Sequence, residues 1–232
     1  MNPLLLIAAL LPAVVLLVRV YRLDKIEKEP PRVLLRLVII GALAGLAAAV
    51  IEQLLMLLLN VCFRTRSMLY LVIENFVIVA CVEEGCKRFP VRRYLWNAPA
   101  FDYRFDAVVY CVFSALGFAA LENVFYVAQY GLGTALVRAL LSVPGHFFFA
   151  VYMGVYLGEA KKAERCGNLV RRGYFLRCSF WMPVLLHGFW DFCLSFESVI
   201  MTILFYVFVL LFFLQANRLL RRSAQTDEPL RG

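Results

Sequence analysis

Two adjacent glutamates in an apolar stretch, Glu83 and Glu84, are the first residues whose chemistry stands out. Two neighbouring carboxylates cannot both ionise cheaply in a low dielectric, so we expect them to titrate as a coupled pair in which one member serves as a general base. Lys87 follows them by four and three residues, which are neighbouring positions on a helix. Its ammonium is expected to hold one carboxylate charged while the other exchanges protons.

The chain has two histidines, and His187 lies four residues before Asp191, on the same helix face. Asp191 is expected to accept a hydrogen bond from one ring nitrogen of His187 and to fix the tautomer that binds a metal or donates to an oxyanion. Prolines 144 and 183 precede the two histidines, and kinks there are predicted to make room for water.

Two further polar groups lie in separate apolar stretches, Glu122 with Asn123 beside it and His146. The candidate metal ligands are His146, His187, Glu122 and Glu84, with Asp191 as a substitute, which is a sufficient set for zinc with an open position. No His-Glu-x-x-His motif is present. Spacing therefore leaves metal-assisted catalysis and metal-free glutamate catalysis both open.

The amino-acid composition indicates what kind of structure holds these groups. Of the 232 residues, 63% are hydrophobic and 17% charged, where a soluble domain has about half and about a quarter, and the mean hydropathy is +0.78. These values argue against a soluble globular domain, a disordered chain and a secreted disulfide scaffold. The seven cysteines form no Cys-x-x-Cys pair, and we interpret them as reduced packing residues.

A helix needs about 20 apolar residues to cross the hydrocarbon layer, and the chain offers seven such runs. They are roughly 3 to 20, 33 to 62, 68 to 86, 105 to 130, 136 to 158, 178 to 196 and 198 to 217. The prediction is an all-α polytopic membrane protein with about seven transmembrane helices in one bundle. Residues 1–217 form the catalytic domain, and 218–232 a short cytoplasmic tail.

Basic residues predict the orientation. The loops after the first, third and fifth runs, counted with Arg19 and Arg36 at the adjoining run ends, and the tail hold 21 of the 24 Arg and Lys, which places these loops and the tail in the cytoplasm. The N-terminus is then outside and the C-terminus inside, and the first run is expected to be retained as a span. This placement of charge in loops between spans removes nucleic acid as the expected partner, and the bilayer takes its place.

Ionisable groups inside a span cost about 2.5 to 3.5 kcal/mol each on insertion scales, and polar insertions recur on four consecutive runs. We therefore favour a functional site, although Glu83 and Glu84 alone would also suit a structural ion pair with Lys87. Glu52 and Glu74 are interpreted as solvated or paired groups near span ends. Counting at 1.5 Å per residue puts Glu83 roughly 22 Å from one face and Glu122 roughly 12 Å, so alignment requires helix tilt or a later start of the third run.

Hydrolysis suits these residue types best. A glutamate, Glu83 or Glu84, deprotonates water, His187 stabilises the oxyanion, and the same glutamic acid, once protonated, gives its proton to the leaving amine. Serine, threonine and cysteine show no comparable pairing with a base. The alternative is a proton-coupled transporter or channel that uses the same carboxylates and histidines as a relay.

At these residues the sequence resembles the PrsW family of intramembrane proteases, with wider similarity to CAAX prenyl endopeptidase-type membrane proteases. The matching elements, in order over positions 83 to 191, are E-E-x-x-K at Glu83, Glu84 and Lys87, F-x-x-x-E-N at Phe118, Glu122 and Asn123, the histidine His146, and H-x-x-x-D at His187 and Asp191.

The resemblance implies a multi-pass protease of the bacterial cell membrane that cuts membrane-tethered proteins, with an anti-sigma factor as the suggested substrate and cleavage on the extracytoplasmic side. The prenyl endopeptidases carry histidine and asparagine where this chain has Glu122 and Asp191. Ionised aspartate cannot donate to an oxyanion, so Asp191 is expected to orient His187 or bind metal. The resemblance also implies that the active site could bind a metal, and zinc is kept as a hypothesis.

Overall fold

The computed structural model describes residues 2–230, and its regular elements are helices. Four segments follow one another without a break, Met68–Val72, Ile73–Ala80, Cys81–Pro90 and Val91–Leu95, and we treat them as one helical run, α3. The others are α1 Pro3–Leu23, α2 Pro31–Cys62, α4 Asp106–Tyr130, α5 Leu132–Leu140, α6 Ser142–Arg165, α7 Leu169–Leu194 and α8 Val199–Gln225. The predicted all-α polytopic fold is confirmed, with α5 and α6 together filling the fifth run.

Five of the described segments are long and apolar enough to cross a membrane: α1, α2, α4, α8 and the stretch Leu132–Arg165. The runs α3 and α7 are outside this set, and they carry the charged residues of the two outermost sequence motifs. Several helices continue beyond the predicted apolar runs, as α8 does to Gln225, because polar residues extend a helix into the loop region where hydropathy no longer marks it.

The bundle has a buried centre and a lipid-facing rim. About 72% of the most apolar window of α4 is buried inside the protein, against 17% for α1 and 22% for α2 and α8. The exposed faces of the outer helices are rich in leucine, isoleucine and valine, which is favourable where the surrounding solvent is hydrocarbon. The central helices α4 and α6 therefore form the scaffold on which functional groups are held.

Glycines let the central helices approach backbone to backbone. A Cβ added to Gly41 of α2 would lie 2.0 Å from the carbonyl oxygen of Ser114, and one added to Gly117 of α4 would lie 2.2 Å from that of Val38. Gly154 and Gly158 of α6 meet the backbone of α4 and the residues before it just as closely. The small residues of the two Gly-x-x-x-Gly pairs, 41/45 and 154/158, thus permit close helix contact, except at Gly45, where the atom nearest to an added Cβ is 3.6 Å away.

Two irregularities shape the helices that carry the site. The helix breaks at Leu141, so that Pro144 falls in the first turn of α6, where a missing N–H costs nothing. Near Pro144 the structure therefore has a break between two helices in place of the predicted kink. In α3, residues Ile73–Ala80 are π-helical, a wider winding that is common near functional sites. It comes just before the glutamate pair.

One end of the bundle carries the loops 24–30, 96–105 and 166–168, and the helix ends beside these loops hold most of the Arg and Lys of the chain. We call it the basic end, and residues 227–230 pack on it. The N–H of Phe105 donates to Asp227 at 2.8 Å, that of Arg104 to the carbonyl of Glu228 at 3.1 Å, and that of Leu230 to the carbonyl of Asp102 at 2.6 Å. Residues 227–230 are therefore held against the loop that precedes α4.

Burial at the basic end predicts a pH dependence of stability. Asp24 is 2% exposed, and burial raises the pKa of its carboxyl from 3.8 to about 6. A raised pKa in the folded state means that Asp24 contributes its full stabilisation below about pH 4 and loses it as the pH rises through 6. We expect the melting temperature in detergent to fall over this window. Asp24→Asn should flatten the curve there, and an unchanged slope would contradict the assignment.

Candidate active site

Lys87 lies at the centre of a buried polar cluster. Its ammonium Nζ is 2.8 Å from Glu83 Oε2, 2.7 Å from Glu84 Oε1 and 2.8 Å from Nδ1 of His146. Its side chain is fully buried, and Nζ lies 4.6 Å from the ring centroid of Phe118. The predicted pairing of Lys87 with the glutamates is present, and it includes both carboxylates rather than one.

His146 connects this cluster to α4 and α5. Its Nε2 lies 3.0 Å from Glu122 Oε2, and Arg138 Nη2 lies 3.0 Å from the same oxygen. Because an ammonium only donates, Nδ1 of His146 must accept from Lys87, and Nε2 then carries the hydrogen that Glu122 receives. The contacts thus define His146 as a neutral imidazole with its proton on Nε2.

His187 has a different charge state. Its Nδ1 is 2.9 Å from Glu84 Oε1, and its Nε2 is 3.1 Å from Asp191 Oδ2. Carboxylates accept, so both ring nitrogens donate and His187 is an imidazolium held between two anions. The ring stacks on Phe149, with centroids 5.0 Å apart and 16° between planes. The predicted bond from His187 to Asp191 is present.

The two glutamates occupy different environments. Glu84 is fully buried and binds two cations, Lys87 and His187. Glu83 is 7% exposed and lines a cavity of about 470 Å³ that we call the vestibule. The residues lining the vestibule include Glu52, Glu74, Asn75, Glu122, Arg138, Ser142, His146, His187, Asp191 and Ser195. Only one member of the pair is therefore placed to reach water in the vestibule.

The depth difference predicted for Glu83 and Glu122 does not separate them. Oε2 of Glu83 lies 3.9 Å from His146 Nδ1, and Oε2 of Glu122 lies 3.0 Å from Nε2 of the same ring. The π-helical stretch of α3 contributes to this alignment, because a π-helix advances less per residue than an α-helix. All four predicted polar segments, on α3, α4, α6 and α7, meet around one cavity.

Some predictions need correction in detail. Asn123, expected beside the site, binds the carbonyl of Ala9 and the guanidinium of Arg138, so it joins α1, α4 and α5. Glu74 is paired with Arg66 at 2.7 Å, as predicted. Glu52 is not a solvated or paired group: its Oε1 is buried, has no hydrogen-bond partner within residues 2–230, and faces the vestibule.

Sequence reasoning missed Arg138, the most informative residue of α5. It lies at the start of the fifth apolar run, and its sequence neighbours give it no acidic partner. Its guanidinium binds Glu122 and Asn123 and stacks 4.1 Å from the ring centroid of Tyr126. No helical spacing links Arg138 to Glu122, which is 16 positions away, so only the fold could pair them.

Three residues of the cluster lie close enough together to share a metal ion, but the ammonium of Lys87 contacts all three. Ligand atoms of Glu83, Glu84 and His146 lie within 4.8 Å of one another, which is close enough for one cation. The ammonium of Lys87 already lies 2.7 to 2.8 Å from all three residues, and both nitrogens of His187 donate to carboxylates. A zinc ligand must offer a lone pair. Of the predicted ligands His146, His187, Glu122 and Glu84, only Glu84 and His146 belong to the group that could share one cation, and the ammonium of Lys87 contacts both.

These features define a class of protein before any comparison. Buried carboxylates, a lysine and imidazoles surround a polar cavity inside a bundle of apolar helices, which is the equipment of a hydrolase that activates water within the membrane.

Comparison with known proteins specifies the family. The pattern of the PrsW family intramembrane metalloproteases matches residues 29–216. The chain is 36% identical over 187 residues to Protease PrsW of Geobacillus kaustophilus, covering 81% of this chain and 78% of the relative. It is 34% identical to Protease PrsW of Oceanobacillus iheyensis, covering 94% and 96%, and 31% identical to that of Bacillus subtilis, covering 81% of each.

The chain therefore belongs to the PrsW family and is an intramembrane protease. No solved structure matches it significantly. The family membership decides between the two functions left open by the sequence, and the transporter alternative is not taken further.

Proposed function

We propose that this protease hydrolyses peptide bonds of membrane-tethered proteins with water activated by Glu83. The observation that supports this most directly is the position of Glu83, which lines the vestibule while its Oε2 lies 3.9 Å from a nitrogen of each histidine. Lys87 binds Oε2 and leaves Oε1 for water. Glu83 and His187 then line one cavity, with the ammonium of Lys87 buried beside Glu83.

In the proposed mechanism, Glu83 carries one proton from the attacking water to the leaving amine. The carboxylate takes a proton from water as the water oxygen attacks the substrate carbonyl. The imidazolium of His187 stabilises the oxyanion through Nε2–H, which turns from Asp191 toward it. When the C–N bond breaks, the protonated Glu83 gives its proton to the leaving amine. Glu84 and Asp191 keep His187 charged. The ammonium of Lys87 keeps His146 neutral by donating to its Nδ1, while Glu122 accepts the hydrogen on Nε2.

No step of this scheme passes through a metal. The family description implies one, but the position that a cation would take among Glu83, Glu84 and His146 is filled by the ammonium of Lys87. We propose that this lysine supplies the positive charge that a metal would otherwise bring to the glutamate pair.

The side of cleavage follows from where the vestibule lies. Its lining includes Asn75 near the start of α3, Ser142 at the start of α6 and Ser195 just after α7, all at the end of the bundle opposite the basic end. With the basic loops in the cytoplasm, the N-terminus is outside and the cut falls on the extracytoplasmic side. A bacterial cell membrane and an anti-sigma factor substrate are parts of the same proposal.

The test compares source cells that lack their own copy of the gene and express either the wild-type chain or Glu83→Gln. New protein N-termini in the membrane fraction are identified by mass spectrometry. We expect at least one membrane-tethered protein, an anti-sigma factor among them, to be cut on its extracytoplasmic side only by the wild type. That protein then serves as the reporter substrate. Identical N-termini in both strains would refute the proposed function.

A further inference from the structure

A second cavity reaches Glu83 from the side of the bundle. It has a volume of about 390 Å³, lies between α2 and α4, and shares Glu52, Glu83, Glu122 and Tyr126 with the vestibule. We call it the lateral groove. Its other lining residues include Gly45, Leu46, Ala49, Phe118, Leu121 and Phe125. The vestibule and the lateral groove thus meet at the same carboxylates.

The groove exists because α2 and α4 diverge. Gly41 and Gly117 bring the two helix backbones into contact, since any added Cβ would overlap a carbonyl oxygen. One turn further along α2, an added Cβ on Gly45 would meet only the Phe118 ring, at 3.6 Å. The gap widens from there, and the close glycine contact fixes its apex, so the groove is built into the helix packing.

The walls of the groove face lipid. Leu46 is 44% exposed and Phe125 56%, and Ala49 is exposed on the same side of α2. From Gly45 to Gln53, both of which line it, the groove runs along α2 for about 12 Å, at 1.5 Å per residue. An extended peptide of three to four residues has about that length.

The polar groups at the inner end of the groove favour a peptide over a hydrocarbon tail. An extended peptide in the membrane carries N–H groups that must find acceptors, because lipid offers none. Glu52 supplies one, since its Oε1 is buried and takes no hydrogen bond from any residue in the range 2–230, and Gln53 lies beside it on the wall. An acyl chain would leave these acceptors unused.

We propose that the lateral groove binds the apolar, membrane-embedded segment that flanks the scissile bond of the substrate. The segment enters sideways from the bilayer between α2 and α4, in extended form, and its cleavage point reaches Glu83 while water arrives through the vestibule. Ala49 then determines which side chains fit, because it is small and lies on the groove wall. This inference rests on the proposed function and adds the substrate segment and its route.

The experiment uses Ala49→Leu and the matched control Ala47→Leu. Both alanines are exposed on α2 and two positions apart, but only Ala49 is among the residues that line the groove. In proteoliposomes, Ala49→Leu is expected to lower kcat/KM for the reporter by about tenfold or more, as pocket steric changes do, and Ala47→Leu to leave it within about twofold. Both should melt near the wild-type temperature; if Ala49→Leu does not, Ala49→Val replaces it.

A compensating change in the substrate separates a binding role from a structural one. Large apolar residues of the reporter within four positions of its cut are replaced one at a time by alanine. We expect one replacement to restore cleavage by Ala49→Leu to within about threefold of wild type, because the added bulk in the enzyme is then matched by lost bulk in the substrate.

Cleavage by Ala49→Leu at the wild-type rate would overturn the inference and indicate that lipid fills the groove. A loss of cleavage that no reporter replacement restores would overturn it as well. Neither result bears on the proposed function, which fails if the wild type leaves the reporter uncut or if Glu83→Gln cuts it equally well.

Discussion

Glu83→Gln is expected to lower kcat for the reporter by about 10³-fold, within the range that general-base catalysis contributes, while the protein keeps its melting temperature. Glutamine has nearly the same shape, keeps an oxygen for the ammonium of Lys87 at the position now occupied by Oε2, and cannot accept a proton from water. Glu83 is also the less buried member of the pair, so losing its charge disturbs the cluster less. The measurements are single-turnover cleavage in proteoliposomes and thermal unfolding in detergent.

Glu84→Gln is the matched comparison and should show the opposite balance. Glu84 is fully buried between Lys87 and His187, and removing its charge leaves two buried cations with one anion fewer. Breaking a buried ion pair typically costs about 3 to 5 kcal/mol, so this variant should unfold at a clearly lower temperature. If Glu83→Gln stayed active, or if the two variants lost stability equally, the assignment of Glu83 as the base would be wrong.

The sequence predicted the parts of the site that depend on helical spacing. Lys87 meets both glutamates, and His187 meets Asp191, because residues three and four apart face each other on a helix. The polar segments could be identified as one site because inserting each ionisable side chain into the membrane costs free energy, so that such groups are found mainly where they have a function or a partner. The number of runs followed from hydropathy and from the alternation of basic loops.

The parts that depend on tertiary packing were beyond the sequence. Arg138 reaches Glu122 only because the chain breaks at Leu141 and folds α5 against α4. Glu52 reaches the vestibule because α2 and α4 diverge beyond Gly45. The charge states of the histidines were also unpredictable, because they are set by contacts between different helices: Lys87 makes His146 an acceptor, and two carboxylates make His187 a double donor.

This difference between the histidines helps to assign separate roles to Glu83 and Glu84. His146 is neutral and lies 3.9 Å from Glu83, as does the Nε2 of the charged His187. Glu83 binds one cation directly, the ammonium of Lys87, and has the imidazolium of His187 3.9 Å away, whereas Glu84 binds both cations directly. The arrangement therefore separates a carboxylate that exchanges protons from one that holds the cluster together.

The strongest test of the metal question is Lys87→Met. Removing the ammonium takes away the cation that contacts Glu83, Glu84 and His146 together, while His187 still binds Glu84. The ligand atoms of the three residues are already within 4.8 Å of one another. We expect the variant to be destabilised by about 3 to 5 kcal/mol, because a buried pair is broken. We also expect it to bind zinc where the wild type does not, since two carboxylates and an imidazole lone pair then become free.

Zinc binding by Lys87→Met should be visible as one equivalent of metal by elemental analysis and as a rise in melting temperature with zinc. A ligand at 100 times its Kd stabilises a protein by about 2.7 kcal/mol, which would recover much of the loss. The double variant Lys87→Met with Glu84→Gln lacks one ligand and should bind zinc more weakly. Stoichiometric zinc in the wild-type protein, with activity lost in chelator and restored by zinc, would instead show that Lys87 yields its place to a metal in the working enzyme.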